Sequence, residues 1–415
     1  MAQPDRADPY AQGGAEAIKK MEDGYLFSTY KRYDLVVSHG AGARVFDIQG
    51  RSYLDFLSGI AVNSLGYNHP RLVKVLMEQG QRMIHCSNLF YHPYQGPLAR
   101  RLTEISGLSR VFFTNSGTEA IEGALKIARA YAHKKAQPGK SVILSLKNSF
   151  HGRTLGALSI TTQEKYQAPF RPLVPDVETV EDFTTAALEK AFSGRICAFV
   201  METIQGEGGI VPLPGEFLKA ARALCDKYDA LLILDEIQCG MGRTGKYFAY
   251  QHYGVQPDLV TLAKSLAAGY PLGAILGGAR VAGSLQPGEH GTTFGGGPLA
   301  CRLALEVLDI IQQEGLLEKV GQLGEYLIQG MSRLAERHKL IGEIRGKGLM
   351  LGVEMGGIAK TVVDRLLKRG VLANAAHDTV LRLLPPFIIT REDIDEFLSI
   401  LDRVLSDIDA ESSAA

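Results

Sequence analysis

Uninterrupted apolar runs, each closing on polar or glycine-rich positions, recur through the middle of the chain. VFFT leads into NSG, SVILSL into KNSFHGRT, RICAFV into METIQGEGG, ALLIL into DEIQCG, DLVTL into AKSL and GAIL into GG. Runs of this length without polar alternation read as strands covered on both faces. Between several of them lie stretches with apolar positions at helical spacing, TEAIEGALKIARAYAHKK and PGEFLKAARALCDKYD. Strands alternating with helices predict an α/β domain built on a largely parallel sheet. The polar residues gather after the strand ends, where open α/β sheets bind ligands.

The flanks are patterned differently. Residues 1 to about 24 read as a poorly ordered lead followed by a short helix. ARVFDIQGRSYLDFLSG gives two short alternating strands around the turn Gln49-Gly50, and HPRLVKVLMEQGQRM a helix. From about residue 299 long helices take over, then short strands in IGEIRGKGLMLGVEM and VLRLLPPFI. A last helix begins at Thr390 or Asp393, and the tail ESSAA is expected to fray. This is a smaller α+β domain, and the N-terminal strands are expected to join it. Thr118 is expected to cap the helix that follows VFFTNSG.

The 415 residues suffice for two or more domains. Lys plus Arg equals Asp plus Glu, 45 each, so nothing in the balance points to nucleic acid or an acidic membrane. Five scattered cysteines form no CxxC or finger spacing, which predicts a reducing compartment. No apolar signal core opens the chain and no run of apolar residues is long enough to span a bilayer, so a cytoplasmic location is expected.

Chemistry concentrates at the strand ends. Lys264 lies in LVTLAKSLAAG, 29 residues after Asp235 in LLILDEIQCG. A lysine and an acid from successive strands can hold an aromatic aldehyde cofactor, the lysine on its aldehyde carbon and the acid under a ring nitrogen. An acid in that place must stay ionised, so that the protonated ring can draw electrons from a carbanion. Ser116, Gly117 and Thr118 stand between a strand and a helix N-terminus, either as a phosphate cradle or as an ordinary cap. Phe150 can cover a flat ring. His151 reads equally as a packing residue, and Arg153 as a surface charge. Glu202 and Glu207 are two acids at a strand end, a metal-site pattern, but no histidine pairs with them at useful spacing. Asp235 with Glu236 resembles a nucleotide-hydrolase acid pair that lacks its phosphate loop, and no dinucleotide fingerprint follows a strand. Glu236 is read as structural.

Taken together and in order, GIAVNSLGYNHP, YHPYQGPLARRL, FFTNSGTEAIEGALKIAR, FHGRT, IQGEGG, LDEIQCGMGRTG, PDLVTLAKSLAAGYPLGA and TTFGGGP resemble the class III aminotransferases of pyridoxal-phosphate fold type I. Within them the chain is most similar to the acetylornithine and ornithine subgroup, from about Tyr25 to about Leu405. The resemblance implies a large domain with a mostly parallel seven-stranded sheet between helices, and a smaller α+β domain formed by both chain ends. The corresponding segments are residues 1–75 (small domain), 76–298 (large, cofactor-binding) and 299–415 (small domain).

It also implies roles. Lys264 matches the lysine that bonds pyridoxal 5'-phosphate, and Asp235 the acid at the pyridine nitrogen. Gln238 matches the residue near the phenolic oxygen, Phe150 the stacking aromatic, and Ser116, Gly117 and Thr118 the phosphate loop. Thr293 matches a threonine reaching the neighbouring subunit's phosphate, which implies a homodimer with shared active sites. For substrate, Arg153 and Arg382 match carboxylate-binding arginines, Glu207 a switch glutamate that pairs with the second of them, and Tyr30 a tyrosine near the α-carboxylate. The implied reaction moves the distal amine of N2-acetyl-L-ornithine to 2-oxoglutarate. Ornithine, succinylornithine and 4-aminobutyrate remain alternative donors, and a cofactor-dependent aminomutase an alternative reaction. No metal is implied. Two positions depart from the family pattern: Thr203 stands where a proline is usual and Gly297 where an asparagine is.

Overall fold

The computed structural model describes residues 13–414. Most of the expected lead, residues 1–12, lies outside that range. The short helix is present at Gly14–Tyr25.

The apolar runs form one seven-stranded sheet: β1 (Arg110–Thr114), β2 (Val142–Leu146), β3 (Val177–Val180), β4 (Ile196–Glu202), β5 (Leu231–Asp235), β6 (Leu259–Leu262) and β7 (Gly273–Gly277), in the order β1-β7-β6-β5-β4-β2-β3. Alternate residues of a strand face opposite sides. In β5, Leu231 and Ile233 pack with Ala120, Ala124 and Ala128 of the helix Gly117–Lys134, while Leu232 and Leu234 join Phe217 and Leu218 on the other face. Both faces are covered, so every position before Asp235 is apolar. The sheet is parallel except at β7, which runs antiparallel to β6 and β1. The link from β6 to β7, residues 263–272, holds only a single short helical turn. That is too short for the crossover a parallel pair needs.

The helix after β1 starts differently from expectation. Its cap is Ser116, not Thr118. Ser116 is extended (φ −146°, ψ 163°) and its Oγ accepts from Glu119 N at 3.3 Å, while Thr118 already lies inside the helix. The Glu119 carboxylate reaches back to Asn115 N, 2.7 Å. Each group satisfies an amide that the helix start leaves unpaired.

Both chain ends build the smaller domain. Arg44–Asp47 and Ser52–Asp55 pair across the turn at Gly50, as expected. Val371–Leu372 then lies parallel to Ser52–Asp55. Phe56 stacks on Phe397 with ring centroids 4.1 Å apart, inside a core that includes Leu54, Leu65, Leu401 and Val404. A second sheet takes Ile344–Lys347, Met350–Glu354, Val380–Leu383 and the edge strand Asn374–Ala376, which the apolar pattern did not announce. The helical region divides into Pro298–Gln313 and Leu316–Arg337 at Gly315, whose φ of +62° suits glycine. The last helix, Arg391–Ala414, runs into the tail that was expected to fray. Thr390 and Asp393 both serve its start: Asp393 N donates to Thr390 Oγ1 and Thr390 N to Asp393 Oδ2. Among the described residues no helix is long and apolar enough to cross a membrane.

Candidate active site

A cleft of about 420 Å³ opens at the C-terminal ends of β4, β5 and β6. It is lined by Ser116, Gly117, Thr118, Phe150, His151, Arg153, Glu202, Glu207, Asp235, Gln238 and Lys264, with Val62, Asn115, Ile237 and Tyr270 among the others.

Lys264 follows β6 immediately, and its φ of +41° places a non-glycine residue in the left-handed region. Such strain gathers at functional sites, where the surrounding structure enforces it. Burial holds the Lys264 amine below the usual lysine range. Arg382 adds to that effect, while Glu207, Asp235 and Glu202 oppose it.

Asp235 ends β5 and is 4% exposed. Its Oδ2 accepts from His151 Nδ1 at 2.7 Å, and its Oδ1 from Ile237 N at 3.0 Å and Thr261 Oγ1 at 3.3 Å. His151, which the sequence left between packing and function, is therefore a buried partner of Asp235. The next strand places Glu202 directly beside Asp235 in register. Glu202 accepts from Phe150 N and Gly206 N, and burial pushes its pKa up to about 7. It thus ties the loop of Phe150 to that of Glu207. Among the described residues no group of His, Cys, Asp and Glu side chains is placed to hold a metal. Glu236 is structural. It accepts from Ala249 N, Tyr250 N and Thr203 Oγ1, and burial pushes it up to about 7. The unusual Thr203 therefore supplies a hydrogen bond that proline cannot make.

At the other end of the cleft, Gly117 presses on Ile237, which a Cβ would meet at 2.8 Å. Thr118 Oγ1 lies 2.8 Å from Thr154 Oγ1. Arg153 stands exposed at the mouth, its Cζ 3.9 Å from the Tyr166 ring centroid and 5.5 Å from that of Phe150. Glu207 lines the cleft. Behind it lies Arg382, 1% exposed, whose Nη1 donates to Glu207 Oε1 at 2.5 Å. Burial alone would raise the Glu207 pKa, but the charge and hydrogen bond of Arg382 outweigh it and hold the group below its usual value.

Two expected residues lie elsewhere. Thr293 is exposed, next to Phe294 at 65% exposure. Tyr30 is 79% exposed and borders a different depression with Arg32, Tyr33 and Leu35. Within one chain neither reaches the cleft. Asn115 and Ile237 were not singled out from the sequence, although both directly flank residues that were.

A class III aminotransferase family model matches residues 27–405. The chain belongs to that family. An acetylornithine aminotransferase of Caldanaerobacter subterraneus subsp. tengcongensis is 49% identical over 388 residues, covering 93% of this chain and 98% of the relative. That of Methanocaldococcus jannaschii is 45% identical over 388 residues, 94% and 98%. Among solved structures, an ornithine aminotransferase of Toxoplasma gondii superposes with a TM-score of 0.93 at 36% identity, covering 98% of this chain and 100% of the other. The acetylornithine aminotransferase of Stenotrophomonas maltophilia gives 0.82 at 37%, covering 94% and 99%.

As a class III enzyme the chain is a pyridoxal-phosphate-dependent aminotransferase of fold type I. The cleft fits that cofactor on its own geometry. Gln238 presents a buried amide whose Oε1 has no hydrogen-bond partner. The lysine amine, the buried acid, the aromatic cover and the helix start with its hydroxyl pair all line one cavity.

Proposed function

We propose that this enzyme moves the distal amine of N2-acetyl-L-ornithine, or a closely similar ω-amino donor, to 2-oxoglutarate, yielding the semialdehyde and glutamate. The observation that carries this reading is the Glu207–Arg382 pair at the wall of a cleft that holds Lys264. The curated relatives named acetylornithine aminotransferase support the choice of donor.

Two substrates must share one site. One is a dicarboxylate. The other brings a distal amine whose neighbourhood should meet no bare cation. Removing one member of a buried ion pair costs about 3–5 kcal/mol. Glu207 therefore leaves Arg382 only when a substrate carboxylate takes its place. With the amine donor bound the pair stays closed and Arg382 is masked. The exposed Arg153, braced on Tyr166, binds the other carboxylate at the mouth.

Bound pyridoxal phosphate supplies an electron sink that makes the C–H beside the transferred nitrogen acidic. The chain's residues do the rest. Lys264, its amine already biased towards the neutral form by burial, would take that proton and give it back on the far side of the transferred nitrogen. Asp235, oriented by His151, would face the ring nitrogen, and Phe150 would cover the ring. Ser116, Gly117 and Thr118 would hold the phosphate at the helix start.

The working unit is a homodimer in which Thr293 serves the partner's phosphate. Its support is the exposure of Thr293 and Phe294 together with Leu89, Phe90 and Tyr91, which are 86%, 69% and 107% exposed. Steady-state comparison of acetylornithine, succinylornithine, ornithine and 4-aminobutyrate with 2-oxoglutarate tests the reading. The highest kcat/KM is expected for acetylornithine. A much higher value for free ornithine or 4-aminobutyrate, or turnover independent of the oxo acid, overturns it.

A further inference from the structure

A switch made of two charged residues needs one that moves and one that stays. Glu207 sits between Gly206 and Gly208, and its side chain is 24% exposed towards the cleft. Arg382 is 1% exposed on an inner strand of the smaller domain's second sheet. Position on a strand fixes its backbone only. A guanidinium on a long flexible stem would follow Glu207, or collapse elsewhere, unless a second group held it.

Asn374 is that group. Asn374 stands directly opposite Arg382 in the antiparallel pair formed with the edge strand Asn374–Ala376. Its Oδ1 accepts from Arg382 Nε at 3.0 Å. On the other side Arg382 faces Gly352, which has no side chain to contribute. The guanidinium thus divides its donors. Nε is committed to a neutral acceptor that no substrate replaces, and Nη1 to the carboxylate that leaves. With Nε fixed, the terminal nitrogens remain aimed at the cleft wall when Glu207 departs.

We infer that Asn374 is a specificity-determining positioning residue, holding Arg382 in the orientation that grips the carboxylate beside the reacting carbonyl of the dicarboxylate substrate. The inference rests on the two-substrate reading above. It assigns Asn374 a role in only one half of the reaction. The amine donor meets Arg382 already neutralised by Glu207, so the precise aim of the guanidinium matters little to it. The oxo acid must bind the guanidinium itself.

The test uses the cofactor-loaded enzyme and glutarate, an unreactive dicarboxylate, with binding measured by calorimetry beside the two half-reactions measured separately. For Asn374→Ala, glutarate Kd and the KM for 2-oxoglutarate should each rise about tenfold, the scale of one hydrogen bond to a charged group. The kcat at saturating oxo acid and the kcat/KM for acetylornithine should stay within about threefold of wild type. Asn374→Asp keeps the volume and the acceptor, so it guards against misfolding as the explanation. It pairs Arg382 with a fixed charge and should also weaken glutarate. Unchanged glutarate binding in Asn374→Ala, or equal losses in both half-reactions, overturns the inference alone. A wild-type enzyme with no affinity for glutarate or 2-oxoglutarate overturns the functional reading and this inference together.

Discussion

His151 donates from Nδ1 to Asp235 Oδ2 across 2.7 Å, joining residues 84 positions apart in a contact that leaves both side chains almost without solvent. The histidine comes from the loop after β2 and the acid from the end of β5. Asp235 thus has its outer oxygen fixed by an imidazole and its inner one by a main-chain amide and a threonine. Its orientation towards the cleft is set before any cofactor arrives.

Asp235→Asn keeps the shape and removes the charge. Turnover should fall by about 100-fold or more, the scale of losing a preorganised charge at a reacting centre. His151→Ala leaves the acid in place but frees it to rotate, and should cost about tenfold. Single-turnover rates with the amine donor measure both. Equal losses would mean that His151 does more than orient.

A second prediction concerns the phosphate end. Gly152 has φ +143°, and a Cβ there would lie 2.3 Å from Thr118 Oγ1 and 3.0 Å from Ala157 Cβ. Gly152→Ala must push Thr118 off its place beside Thr154. The affinity of the apoenzyme for pyridoxal phosphate should fall about tenfold, the worth of one hydrogen bond to a charged group. Fluorescence titration reads this directly. Unchanged affinity with lowered thermal stability would show that Thr118 takes no part in phosphate binding.

What could be read in the chain before its fold follows from range. The covered strands, the helix after β1 and the residues ending β5 and β6 are local patterns, so Lys264, Asp235 and the phosphate loop stood out as a set. The reversed direction of β7 depended on the length of one link rather than on its own composition, and GAIL looks the same in either direction. Ser116 and Thr118 are both good caps by residue type, and only the extended backbone at 116 separates them. His151 and Asn374 act through partners brought by tertiary pairing. Asn374 lies in a three-residue edge strand with no apolar run to mark it. For such residues the decisive fact is what lies opposite, which composition does not encode.

Burial of the Lys264 amine gives a third prediction. Because the charged form is penalised, the amine loses its proton at a lower pH than an exposed lysine does. In the apoenzyme, amine-selective labelling followed across pH by peptide mapping should modify Lys264 at lower pH than surface lysines. Labelling of Lys264 only after them would show that the acids around it, Glu207, Asp235 and Glu202, outweigh burial.

The last prediction lies away from the cleft, where His338 joins the helix Leu316–Arg337 to the closing helix. Its Nε2 donates to Asp402 Oδ1 at 2.6 Å and its Nδ1 to Asp409 Oδ2 at 3.0 Å, while Arg337 also binds Asp402. Burial works against the charged ring, but the hydrogen bonds with Asp402 and Asp409 outweigh it and raise the His338 pKa. The hydrogen bond from His338 leads in holding Asp402 below its usual range. A raised histidine stabilises the fold fully below its unfolded value of about 6.5, and the gain is lost as pH climbs through the folded value. A lowered aspartate stabilises above about 3.9, and that gain is lost as pH falls through its folded value. The two windows overlap between about pH 4 and 6.5. His338→Asn should therefore cost most there, about 2 kcal/mol near pH 6 from the lost charged hydrogen bonds, and progressively less towards pH 9. Denaturant unfolding of both proteins across pH measures the difference. A cost that stays constant or grows with rising pH would mean that His338 acts by packing as a neutral ring, with its charge contributing nothing to the joint between the two helices.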